Sequence, residues 1–167
     1  LPPATPAVPV VAPSGDPESA TALYEHVPTL RAVYRDLLSE LIDRFGTKPL
    51  LGHDMQGYLG SLASIAIELY AAESTVLRVM KLEQSRPGAD TGFARALARL
   101  VLDRAVVNIE REATDILGGL HAGSALRSAL DTVRLRFPLP PDRIALRAQI
   151  AAALVARGGS LPLFARA

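Results

Sequence analysis

DMQGYLGSLASIAIELYAAESTVLRVMKLEQ, residues 54–84, decides the architecture. Met55, Leu59, Leu62, Ala66, Leu69, Val76 and Met80 recur at steps of three, four and seven, the spacing of one helix face. Tyr58, Ile65, Ala72 and Val79 widen that stripe, so the helix is expected to lie centrally between partners. Glu68 and Glu73 interrupt the apolar run, which therefore falls short of the ~20 uninterrupted residues of a membrane span. Gly57, Gly60, Ser61, Ala63 and Ser64 are small, and the expectation is that another backbone approaches closely along these first turns.

Upstream, Leu23, Val27, Leu30, Tyr34, Leu37, Leu41 and Phe45 form a first helical stripe, with Gly46 placed to stop it and Pro28 to kink or divide it. Downstream, a third helix is predicted from about Thr91 to Leu117. Asp90 or Thr91 would cap it, Leu97, Val101, Ala105, Ile109, Ala113 and Ile116 would face inward, and Gly118–Gly119 would end it. A fourth starts at Ser124 and carries Leu126, Leu130, Val133 and Phe137 up to Pro138. In the fifth, Asp142 caps, Ile144, Ile150, Ala151, Leu154 and Val155 are expected to bury, and Gly158–Gly159 closes. The fold class is all-α: a bundle of about five helices, residues 19–167, behind an extended Pro-rich N-terminal arm, residues 1–18. That arm holds Pro2, Pro3, Pro6, Pro9, Pro13 and Pro17 and is read as a linker, or as a coat over a neighbouring surface through Val8, Val10 and Val11.

A length of 167 residues with 49% hydrophobic and 21% charged residues suits one folded domain. With no cysteine there can be no disulfide, thiolate metal site or cysteine nucleophile. The net charge of +1 and the absence of Trp argue against nucleic acid as a partner. Charge is uneven along the chain, net −4 over residues 1–118 and +5 over residues 119–167. Arg143 and Arg147, with Arg127, Arg134 and Arg136 upstream, could lie on anionic lipid; a bundle helix with a solvated Arg face is the simpler expectation. Leu1 in place of Met, with no charged-then-apolar leader, suggests an excised piece. The preference for Arg over Lys suggests a GC-rich bacterial source, hence a cytoplasmic location, with mitochondria as the alternative.

Chemistry-bearing motifs are missing. Neither GxxxxGK[ST] nor GxGxxG occurs, so no loop cradles a nucleotide, and there is no nucleophile elbow. His26, His53 and His121 lie at segment edges without HExxH or ExxH spacing, which leaves metal ligation unsupported; His121 is expected to meet helix-end carbonyls. Glu68 and Glu73 point about 140° apart on a helix and cannot form an acid–base pair. A single buried Glu paired with Arg104 or Arg78 is the expectation. No catalytic, cofactor-binding or metal residue is nominated.

Gln56, Leu59, Leu62–Ala63, Ala66–Ile67–Glu68–Leu69–Tyr70–Ala71 and Arg78 resemble the long helix in the extra C-terminal domain of very-long-chain-type acyl-CoA dehydrogenases. The Ile109–Glu–Arg–Glu–Ala113 run, the ending Val155–Ala–Arg–Gly–Gly159 and the tail Leu161–Pro–Leu–Phe164 are similar too. The resemblance implies a parent flavoprotein that uses FAD to oxidise fatty acyl-CoA esters and passes electrons to an electron-transfer flavoprotein. It also implies that this chain lacks the parent's catalytic Glu and flavin-binding core and binds no cofactor itself. The implied role is accessory: packing on its own catalytic core or a homodimer partner, and in some relatives peripheral membrane contact. A stand-alone helical adaptor for another protein is the alternative.

Overall fold

The computed structural model describes residues 19–47, 52, 55–86, 90–138 and 140–156. Among them the regular structure is helical: α1 (Ala20–Tyr24), α2 (Val27–Phe45), α3 (Gln56–Ser85), α4 (Gly92–Leu120), α5 (Gly123–Arg134) and α6 (Arg143–Ala156). The all-α expectation is met. The arm up to residue 18, His53, Asp54, Pro87, Gly88 and the Gly158–Phe164 ending lie outside the described residues.

Pro28 divides the first predicted helix into α1 and α2. It occupies the opening turn of α2, where its missing N–H costs no helical bond. Ser19 caps α1 by accepting from the Ala22 N–H at 3.1 Å. Gly46 ends α2 at φ 75°, a left-handed conformation that glycine adopts without the Cβ penalty. Leu30, Val33, Leu37 and Leu41 of α2 are all buried at spacings of three and four, and turn one stripe onto α3.

α3 and α4 run antiparallel and form the largest packing interface. Side-chain pairings fix their register: Tyr58 lies against Gly119, Glu68 reaches Asn108, and Glu83 reaches Thr91. Their facing stripes, Leu62, Ile65, Ala72, Val76 and Val79 against Ala98, Leu102, Ala105, Ile109, Ala113 and Ile116, make the main core. Burying a side chain such as Ile65 or Ile109 contributes about 1.5–3 kcal/mol. The central helix is α4, not α3 as expected, since α4 meets α1, α2, α3, α5 and α6 whereas α3 keeps one side open.

Other boundaries differ from the sequence reading. α4 runs through Gly118 and Gly119 to Leu120, because both glycines keep helical φ and the stop is the extended backbone at His121. Its early inward face is Ala94, Ala98 and Leu102 rather than Leu97 and Val101; Leu97 and Leu100 instead support a second, smaller cluster. Asp90 rather than Thr91 serves the first turn, accepting from the Gly92 N–H at 3.0 Å, while Thr91 Oγ1 donates to Glu83 at 3.2 Å. α5 begins at Gly123 and ends at Arg134, short of Phe137.

Asp142 caps α6 as expected, accepting from the Ile144 and Ala145 N–H groups, each at 3.0 Å. The buried side of α6 is Leu146 and Ile150, set on Phe93 and Ala96. Ile144 and Val155, expected inside, are 84% and 80% exposed, and Ala151 is exposed too. α6 touches the bundle along one edge, which buries a single i, i+4 pair instead of a wide stripe.

Candidate docking face

The outer side of α3 carries Gln56, Gly60, Ala63, Ile67, Tyr70, Ser74 and Leu77, spaced by three and four and all exposed. Ile67 is 68% and Tyr70 74% exposed, and Leu77 stands out beside them. Between Gln56 and Leu77 the sequence has two charges, Glu68 and Glu73, and the fold turns both sideways. Glu68 leans to α4, where Oε1 accepts from Asn108 Nδ2 at 2.6 Å. Glu73 leans to α1 and α2, accepting from Arg31 and, at 3.5 Å, from the Tyr24 hydroxyl. The hydrogen bond to Glu73 holds the Arg31 guanidinium above its ordinary pKa. The partners that these carboxylates meet are thus Asn108, Arg31 and Tyr24 rather than the expected Arg104 or Arg78.

An uncharged ridge therefore runs along α3 opposite its core-facing side. Exposed apolar side chains gathered on one side of a helix mark surface that a neighbour can cover. Arg78 and Lys81, both exposed, close the ridge with a polar edge. Gly57 and Gly60 have no heavy atom within 4 Å of where a Cβ would stand. Among the described residues, the close approach expected at these glycines does not occur. It falls instead at Gly119, where a Cβ would run into the Tyr58 hydroxyl and lie 2.9 Å from Cε1 and Cζ; Tyr58 also stacks, tilted, on Phe45 at 5.6 Å.

The remaining sequence-nominated groups are structural. His121 pairs through Nε2 with Glu40 of α2 instead of with helix-end carbonyls. His26 sits at the joint of α1 and α2, and burial lowers its pKa below 6.5. Glu112 is held below the usual carboxylate range by hydrogen bonds from Arg111, at 2.7 Å, and Ser61. The basic C-terminal part is sewn onto the acidic part. Arg136 pairs with Asp36, Arg134 with Glu110 at 2.7 Å, and Arg143 grips Asp103 through two bonds of 2.6 and 2.9 Å. Among the described residues, Arg127 and Arg147 are the members of the nominated basic set whose exposed side chains lie outside these pairs.

Clefts flanking α6 hold about 60, 100 and 180 Å³, lined by residues such as Leu23, Arg99, Gln149 and Arg143. Each of these clefts is smaller than the ~300–1,000 Å³ usual for a cofactor pocket. Among the described residues no cluster of three or more His, Asp or Glu could hold a metal ion, and no helix is long and apolar enough to cross a membrane.

A family model for the acyl-CoA dehydrogenase C-terminal domain matches residues 44–135, more than half of the chain, from the end of α2 through α5. The chain belongs to that family. The match contains both long helices and therefore the ridge and the Glu68–Asn108 register. Comparison with curated proteins and with solved structures gives no match. As a member of this family the chain is an accessory domain of acyl-CoA dehydrogenases. Sequence reasoning missed the ridge because periodicity marks α3 as apolar without saying which side α1, α2 and α4 will cover. The available signal was the 22-residue stretch whose only charges are two carboxylates.

Proposed function

We propose that the chain is the helical accessory domain of an FAD-dependent acyl-CoA dehydrogenase of the very-long-chain type, and that it works by contact, through the outer ridge of α3. The parent oxidises fatty acyl-CoA esters in the bacterial cytoplasm and hands electrons to an electron-transfer flavoprotein. This chain contributes assembly and no reacting group. One observation carries the reading: a family accessory domain leaves Ile67, Tyr70 and Leu77 uncovered on a helix that is uncharged on that side.

The coding sequence around the chain provides the first test. A flavin-binding core with a catalytic Glu is expected in the same frame ahead of Leu1, and a frame without one refutes the reading. In that enzyme Ile67→Asp is expected to leave the accessory bundle folded but loosened from the assembly, seen as faster proteolytic release of an intact helical fragment. Unchanged release would remove the ridge from the proposal.

A further inference from the structure

We infer that the occupant of the α3 ridge is the chain's own Pro-rich arm, with Val8 and Val11 seated along Ile67, Tyr70 and Leu77; this rests on reading the ridge as a contact surface. The arm lies outside the described residues, and the described ones fix where it leaves the bundle. Ser19 caps α1, and α1 packs on both α3 and α4. Leu23 shares a cleft with Gly92, Arg95 and Arg99, and the Tyr24 hydroxyl donates to Glu73. Glu83 meets Thr91 and Arg95, which puts that opening part of α4 level with the closing turns of α3. The arm therefore departs beside the Leu77 end of the ridge.

Reach fits. Leu77 back to Ile67 is roughly 15 Å of helix, and passing round the flank of a helix about 10 Å across adds roughly 10–15 Å. Val11 stands eight residues before Ser19 and Val8 eleven, which at the ~3.1 Å rise of polyproline geometry is a reach of roughly 25 and 34 Å. The same geometry, with three residues per turn, puts Val8 and Val11 on one edge about 9 Å apart. On the ridge Tyr70 and Leu77 are about 10.5 Å apart. Val11 thus meets Leu77 while Val8 meets Tyr70 and Ile67. Pro9 falls against the tyrosine ring, as Pro-rich segments dock on aromatic surfaces.

Charge and entropy agree. Leu1 to Gly15 has no charged side chain, and neither has the outer side of α3 from Gln56 to Leu77, because Glu68 is held by Asn108 and Glu73 by Arg31. No charge is stripped of water when the two meet. Six prolines already restrict the backbone up to Ser19, so ordering the arm costs less than ordering an unrestricted segment. The covalent tether supplies a roughly millimolar effective concentration, at which a contact too weak to hold separate molecules is populated. A seated arm fixes the bearing of the bundle on whatever precedes it, which a free spacer does not.

The chain has no cysteine, so a single nitroxide can be placed through Gln56→Cys, at an exposed position on the far end of the ridge. In the seated arm Thr5 comes to about 12 Å from that label while Val11 stays about 31 Å away. Nuclear magnetic resonance of the labelled 167-residue chain should show paramagnetic relaxation of the Thr5 amide at least tenfold above that of Val11. Ile67→Asp, outside the core, should erase this gradient with an unchanged helical spectrum. Val8→Asp with Val11→Asp, which leaves every bundle residue in place, should erase it too. A Thr5 amide broadened no more than Val11 overturns the inference, as does a gradient that survives both variants. If the gradient is absent and Ile67→Asp still loosens the bundle in the full enzyme, the contact role stands and the arm is not the occupant. If the gradient is present and Ile67→Asp changes nothing in the enzyme, the arm is seated and the role in assembly fails.

Discussion

Replacing Gly119 by Ala puts a methyl group into the space of Tyr58, against its hydroxyl and 2.9 Å from Cε1 and Cζ. Replacing Gly118, one residue earlier in the same helix, meets nothing within 4 Å. Both positions have helical φ, so each gains the propensity of Ala over Gly, about 0.5–1 kcal/mol, reduced near a helix end. Gly118→Ala is thus expected to stabilise by about 0.5 kcal/mol. Gly119→Ala must also push a ring that is wedged against Phe45, an overpacking cost of about 1–3 kcal/mol, and should come out about 1–2 kcal/mol destabilising. At this chain length the pair should be separated by roughly 4–8 °C in Tm, and in urea by a shift of midpoint at constant slope. The cycle with Tyr58→Ala isolates the clash: with the ring gone, Gly119→Ala should behave like Gly118→Ala. Equal stability of the two alanine variants in the presence of Tyr58 would refute the packing argument.

Loss of the α6 cap by Asp142→Ala should cost about 1 kcal/mol, read as faster amide exchange in α6 while α3 and α4 keep their protection. His26 has a folded pKa below its ordinary 6.5, with burial the main cause, Glu25 opposing and Arg99 assisting. The folded state therefore prefers the neutral ring: this stability is present above pH 6.5 and is lost as pH falls through the folded pKa. His26→Gln should flatten the stability profile between pH 7.5 and 5, measured by urea midpoints, and an undiminished slope would show that another group carries it.

Much of the bundle was legible because helices announce themselves locally. The Leu23–Phe45 spacing, the dividing Pro28, the Gly46 stop and the Asp142 cap all depend on residues within a turn or two of one another. What failed depends on distant partners. Glu68 could choose among any donors that α4 brought alongside, and it found Asn108 because the antiparallel register, not the sequence spacing, set the level. Gly118–Gly119 looks like a stop from composition, yet the helix continues because Gly119 is needed as floor for a tyrosine 61 residues away. The α6 face was misread since one helix edge on one neighbour buries fewer side chains than a full stripe. The charge asymmetry was visible and its meaning was not. Arg134, Arg136 and Arg143 read as an outward basic surface until Glu110, Asp36 and Asp103 were found opposite them. The ridge of α3 was hidden for the same reason: an apolar helix has no marked outside until its neighbours are in place.

The separate seating of α6 has a consequence for how the molecule comes apart. Phe93, Ala96, Leu146 and Ile150, with the Arg143–Asp103 clamp, are its own small anchorage, apart from the main core. An element so tethered can peel away and reseat while the other helices stay docked, so the first excursion from the native state is a detachment at the C-terminal side. Trypsin under native conditions should then nick Arg147 well before any bond in α3, and whatever grips the opening half of α4 would compete with α6 for the same seat.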